Sequence, residues 1–285
     1  MSEFYHAIPL RENVYRITSV ENVFCELLVG EEKAMLIDTG YGFGDLKGFV
    51  REITDKPLII ANTHGHVEHT SGNCQFEEQV YLSEADTGLC KRHNTPEMRR
   101  QSARLAEHTM DWATGKERYG LPEDFDRAVY ERGGTGNLVT LTERMIFDLG
   151  GITIEAVATP GHTKGGMSFH YKEENWLYVG DAANMFLWLF DGDATDRATH
   201  IATMDKILAL HPQKVFGGHA SQPMIMEDIK RFRRVAEEAD FAKGVPFETP
   251  LAPDSTDIRI CTLDGFTMED MGKPGFAAIV IDKNR

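Results

Sequence analysis

Little in this sequence points to a staple, a membrane or a nucleic acid. Its four cysteines, Cys25, Cys74, Cys90 and Cys261, are scattered without CxxC spacing, which excludes a disulfide framework and a zinc finger and leaves free thiols. No stretch approaches the ~20 consecutive apolar residues of a membrane-spanning helix. The opening, Met1-Ser2-Glu3-Phe4-Tyr5-His6, has no basic segment followed by an apolar one, so a cytoplasmic protein without a membrane partner is expected. Basic residues are scarce: 30 Lys and Arg against 45 Asp and Glu leave a formal net charge of -15. Such a charge repels phosphate backbones, so no nucleic acid is expected as partner and a small-molecule substrate is. Internal repeats, low-complexity segments and obvious linkers are also missing. With 285 residues and 41% hydrophobic content, a single domain over residues 1–285 is the economical reading.

Alternation and β-branched content predict strands at Val14–Val20, Val23–Val29, Lys33–Asp38, Pro57–Asn62 and Val80–Ser83, with a helix near Gly44–Ile53. A polar stretch from about 84 to 132 carries helical patterning and reads as an insertion of helices over the core. Strand signals return at Leu138–Leu141, Arg144–Leu149, Ile152–Ala158, Met167–Tyr171 and Trp176–Val179, punctuated by glycine pairs. A helix at Asp196–Leu210, a strand at Lys214–Phe216 and a helix at Met224–Glu238 follow, the last with Ile225, Ile229, Phe232 and Val235 at helical spacing. The extension from about 244 to 285 has a turn near Asp264-Gly265 and an apolar finish. It could add strands to the sheet edge or to a partner subunit, which keeps a homo-oligomer open. Two β-rich halves flanked by helices point to a layered αββα sandwich.

The chemistry concentrates in His64-Gly65-His66-Val67-Glu68-His69, three imidazoles and a carboxylate directly after the apolar strand Leu58-Ile59-Ile60-Ala61. Loops at strand ends are where sites are usually built. His64 and His66 can reach one ion from the same side, while Glu68 and His69 can turn toward a second. Further candidates also follow strand-like runs in glycine-bearing turns: His162 in Thr159-Pro160-Gly161-His162, Asp181 in Val179-Gly180-Asp181, and His219 in Phe216-Gly217-Gly218-His219. Of the other histidines, only His93 and His108 are placed to overhang such a site. The apolar run after Asp181, Ala182 to Phe190, is either a pocket wall or a buried strand or helix. Asn184 is a candidate donor to an oxyanion, and Tyr41 a candidate for the site's mouth.

From about Val14 to Ile229 the chain resembles the metallo-β-lactamase superfamily, whose H-x-H-x-D-H, later His, Gly-Asp and final His motifs match His64 to His69, His162, Asp181 and His219 in order. The resemblance implies the four-layer αββα fold and two divalent ions. His64, His66 and His162 would hold one, Glu68, His69 and His219 the other, with Asp181 bridging and Asp38 supporting a ligand histidine. Glu68 departs from the family's aspartate, so it is either a ligand or a general base. The nitrogen and oxygen donors suit zinc first, with iron or manganese as alternatives. A hydroxide shared by the metals would then cleave a small ester, lactone, thioester or phosphodiester, with Asp181, Glu68 and Asn184 in the catalytic machinery. The competing readings are an iron-dependent sulfur dioxygenase and a metal-binding protein without catalysis.

Overall fold

A computed structural model describes residues 4–18, 22–107, 121, 125–249 and 257–283. The chain divides into two units, Met1–Val157 with Phe169–Glu173, and Ala158–Ser168 with Glu174–Arg285.

In the first unit, β1 (His6–Arg11) and β2 (Val14–Thr18) form an antiparallel hairpin that turns at Asn13. The φ of Asn13 is 61°, a conformation that the short asparagine side chain tolerates. β3 (Phe24–Val29) and β4 (Ala34–Ile37) continue the antiparallel run, and β4 is buried along its whole length. α1 (Leu46–Ile53) then crosses to β5 (Leu58–Ala61), which runs parallel to β4. Asp45 starts this helix by accepting the Gly48 N–H at 2.8 Å, and Leu46, Phe49 and Val50 pack with Leu27, Leu36 and Ile60. After the short α2 (Val67–Thr70) come β6 (Gln79–Ser83), the helices α3 (Glu84–His93), α4 (Pro96–Ala106) and α5 (Arg127–Glu131), and β7 (Asn137–Leu141). The result is a seven-stranded sheet in chain order, antiparallel up to β4 and parallel beyond it. β8 (Ile146–Asp148) and β9 (Thr153–Ala158) pair antiparallel, and β10 (Met167–Tyr171) lies beside β9.

The second unit contains β11 (Trp176–Gly180), β12 (Phe186–Leu189), α6 (Arg197–Ala209), β13 (Lys214–Gly217), α7 (Met226–Glu238), β14 (Val245–Pro246), β15 (Ile258–Thr262) and β16 (Ala278–Asp282). β11 and β13 are parallel neighbours. Leu177, Val179, Leu187, Leu189, Ile207, Val215, Ile229, Phe232, Ile279 and Ile281 belong to one buried cluster, which ties both helices to the strands.

Three features differ from the sequence reading. β1 is an extra strand: its side chains are mostly exposed and it carries Pro9, so it shows none of the apolar alternation that marks a half-buried strand. The extension does not prolong a sheet edge. Its strands join β12 in a separate sheet of order β12-β16-β15-β14, with β12 parallel to β16. α7 begins two residues late, because Met224 is held extended by its bridge to Val215 and Ile225 is left 57% exposed ahead of the helix. No helix among the described residues is long and apolar enough to cross a membrane.

Candidate metal centre

Each unit carries part of the expected donor set. In the first unit, the register Ile37↔Ala61 places the carboxyl ends of the parallel strands β4 and β5 side by side. Clefts outside such ends are where α/β sheets hold ligands. Asp38 follows β4 with φ 61°, and its buried carboxylate takes three donors. Oδ1 accepts the Thr63 N–H at 2.7 Å; Oδ2 accepts the Thr63 hydroxyl at 2.8 Å and His69 Nδ1 at 2.8 Å. A carboxylate only accepts, so His69 carries its proton on Nδ1 and presents Nε2 as a ligand atom. The same logic runs one residue further. The Thr63 hydroxyl spends its proton on Asp38 and therefore accepts from His64 Nδ1, 3.0 Å away, which leaves Nε2 as the lone-pair nitrogen of His64. One aspartate thus sets the tautomers of two histidines.

His64 Nε2 lies 3.1 Å from His66 Nδ1, and all three imidazoles of the motif are buried. Within this unit, His64 with His66, His64 with His69, and Glu68 with His69 each offer ligand atoms within 4.8 Å of one another. Lone pairs converging in a buried place are costly unless a proton or a cation lies between them. With nitrogen donors and the half-buried Glu68 carboxylate, whose Oε1 is 4.0 Å from His66 Nδ1, the residues fit a divalent ion. The end of the motif is pinned as well: the His69 carbonyl accepts from Thr39 N–H at 3.0 Å and Asn62 Nδ2 at 2.9 Å, and Asn73 Oδ1 accepts from the Thr39 hydroxyl at 2.8 Å.

In the second unit, Asp181 follows β11 and His219 follows β13, at the same ends of two parallel strands. Asp181 Oδ2 lies 3.2 Å from His219 Nε2 and 3.8 Å from His162 Nε2. His162 donates through Nδ1 to the Trp188 carbonyl at 3.0 Å, so its Nε2 is the nitrogen turned toward Asp181. The loop that carries His162 is held by α6. The Thr203 hydroxyl donates to the Pro160 carbonyl at 2.5 Å, and Lys206 Nζ donates to the Ala158 carbonyl at 2.8 Å. His200 fills the space beneath Gly161, where a Cβ would come within 2.7 Å of its Nδ1, so a larger residue before His162 would have to displace that ring. Burial and the neighbouring His162 push the His200 imidazole down to about 3, and it stays neutral.

The remaining sequence candidates are placed as follows. Asn184 uses its side-chain oxygen to accept the Phe186 N–H at 3.1 Å, which leaves its amide nitrogen as the donor it can offer. His93 stacks on His66 with ring centroids 5.0 Å apart and planes 14° from parallel. His108 lies outside the described residues. Tyr41 stacks on Phe43 at 5.0 Å. Of the run after Asp181, Phe186–Leu189 forms the strand β12, whose alternate residues Leu187 and Leu189 are buried while Phe186 and Trp188 are half-buried. Sequence reasoning missed Asn62, Thr63, Asn73, Thr203 and Lys206, because single polar residues at element ends carry no spacing signature.

Residues 18–80 and 88–219 match the family described as Metallo-beta-lactamase superfamily, more than half of the chain. The acyl-coenzyme A thioesterase MBLAC2 of Homo sapiens is 24% identical over 230 residues, 74% of this chain and 76% of that protein. Among solved structures, a metallo-beta-lactamase from Pontibacter korlensis aligns with a TM-score of 0.58 and 15% identity, covering 82% of this chain and 99% of that one. A di-iron-bound form of TTHA1623 aligns with a TM-score of 0.52 and 20% identity, covering 80% of this chain and 97% of that one. These structures show the fold, and it is the one the motifs implied. The chain belongs to the metallo-β-lactamase superfamily.

Proposed function

We propose that this protein is a metal-dependent hydrolase of acyl thioesters and related small esters, with the dinuclear centre that the superfamily motifs imply. His64, His66, Glu68, His69, His162, Asp181 and His219 are the residues that would hold the ions. The observation that carries this reading is the arrangement of second partners. Nδ1 of His69 is taken by Asp38 and Nδ1 of His162 by the Trp188 carbonyl, so both rings turn Nε2 to the same task. When bound, two divalent ions, zinc in the first instance, would supply Lewis acidity at the scissile oxygen and lower the pKa of a water toward about 7. The chain's own residues do the rest. Asp181 turns one carboxylate oxygen toward the Nε2 atoms of both His162 and His219. The Asn184 amide is the donor available to a developing oxyanion.

Two features favour an acyl thioester among the candidate substrates. One is the relationship to an acyl-coenzyme A thioesterase. The other is an aromatic wall just after Asp181: Trp188 lies 5.4 Å from Phe190 and 5.9 Å from Phe247, and Phe186 lies 6.3 Å from Phe247. The Trp188 backbone holds His162, so the wall and a ligand share one residue. An apolar acyl chain laid on it gains about 0.8 kcal/mol per CH2 buried. Specificity (kcat/KM) should therefore rise about fourfold per added CH2 across a thioester series. In Trp188→Ala that slope should flatten while the shortest thioester is hydrolysed as before. An unchanged slope would remove the wall from the substrate site.

The reading as a whole is tested by stripping the protein with a chelator, restoring zinc, iron or manganese one at a time, and following thiol release from acyl thioesters beside esters, lactones and phosphodiesters. Turnover should vanish with the metal and return with it. Two ions bound with no turnover of any compound would overturn it. Glu68 is tested separately. As a ligand, Glu68→Gln should lower the metal content from about two ions per chain toward one. Unchanged content with lost turnover would make Glu68 the base.

A further inference from the structure

The helices between β6 and β7 touch the histidine motif at three points. Asp86, in the first turn of α3, is 1% exposed, and its Oδ2 accepts the N–H of Gly65 at 2.9 Å. Gly65 lies between His64 and His66, and the helix backbone comes up flush against it. A Cβ there would stand 2.8 Å from the Asp86 carbonyl and 3.0 Å from the Cys90 nitrogen. At the far end of α3, His93 stacks on His66. The next residue, Asn94, donates to the Thr70 hydroxyl at 2.8 Å, and that hydroxyl donates to the His66 carbonyl at 2.8 Å. Asn94 is itself locked, since its Oδ1 accepts from the Ser71 hydroxyl at 3.0 Å and from Arg99 at 2.8 Å.

We infer that Asp86 is a positioning residue for the metal ligands His64 and His66, and that α3 acts as the mould in which this pair is cast. The inference rests on the metal-binding reading above. The physical reason is local. The peptide linking His64 to Gly65 decides how two rings on alternate residues face each other, and its N–H is anchored by a buried carboxylate. With Asp86 in place, His64 Nε2 and His66 Nδ1 are held 3.1 Å apart. Without it, a buried N–H loses its acceptor and the loop can rotate to recover one, taking both rings with it. Outer partners of this kind are typically worth about 10- to 100-fold in metal affinity.

The test uses the full-length chain and metal alone, without substrate. Zinc affinity is measured by competition with a chromophoric chelator, and cobalt(II) reports ligand geometry through its visible absorption. Asp86→Ala should bind zinc about 10- to 100-fold more weakly and shift the cobalt spectrum. Asp86→Asn keeps an acceptor oxygen for Gly65 and should recover most of the affinity and the parent spectrum. Wild-type affinity and spectrum in Asp86→Ala would overturn the inference, as would an Asp86→Asn protein no better than Asp86→Ala. Should Asp86→Ala not fold, His93→Leu, at a half-buried position, reads the same grip on His66, and an unchanged cobalt spectrum there would overturn it. A wild-type chain that binds neither zinc nor cobalt would instead defeat the metal reading beneath it.

Discussion

Asp181→Ala protein should fold, come out of purification without its metal, and hydrolyse thioesters no faster than buffer. The side chain is small and its removal opens no apolar cavity, so unfolding temperature in the presence of chelator should stay close to wild type. What disappears is a carboxylate whose Oδ2 lies 3.2 Å from His219 Nε2 and 3.8 Å from His162 Nε2. On the proposed reading, the two imidazoles cannot replace the anionic oxygen that two ions would share, so both ions should lose affinity together. His66→Ala should behave alike from the first unit, because it deletes the partner that lies 3.1 Å from His64. Metal per chain by elemental analysis, thermal unfolding and thiol release are the three measurements. Full activity in either well-folded variant would sink the assignment.

The second large effect is expected from a subtler change, Asp38→Asn. Oδ1 must stay an acceptor for the Thr63 N–H, so the new NH2 group takes the place of Oδ2 and faces His69 Nδ1 and the Thr63 hydroxyl. Both partners must then accept. His69 answers by moving its proton to Nε2. The Thr63 hydroxyl turns and donates to His64, whose proton also moves to Nε2. Both nitrogens intended for metal become N–H groups. Metal affinity should fall by about 100-fold, the upper end of what an outer partner usually contributes. Asparagine tolerates the φ of 61° at this position, so the fold should survive, which alanine would not guarantee. Ring 15N chemical shifts of the metal-free protein would report the tautomers directly. Unshifted resonances with unchanged affinity would show that Asp38 does not govern them.

Most of the sheet framework was legible because it rests on local patterns. The motif His64 to His69 announces itself by spacing, and β5 before it by four consecutive apolar residues. Asp38 was legible only through the resemblance to the superfamily. The histidine it steers was not, because that choice depends on where α2 carries His69 after β5 has ended. His93 illustrates the same limit. The sequence put it in the neighbourhood of the motif, whereas its stacking on His66 is a consequence of how α3 lies against Gly65. The separate sheet of β12, β14, β15 and β16 was illegible for another reason: β12 and β16 are parallel partners nearly a hundred residues apart in the chain. Alternation predicts that a segment is a strand and is silent on which strand it joins.

By itself the sequence determined the superfamily and nominated the donor residues, since residue type and short-range spacing decide what atoms a loop can offer. Only the tertiary structure decided which nitrogen His64, His69 and His162 offer, which glycine is boxed in by a helix, and which distant carboxylates hold the motif in place. Those outcomes depend on hydrogen bonds between groups far apart in sequence, and the direction of such a bond is fixed only when both partners have been packed.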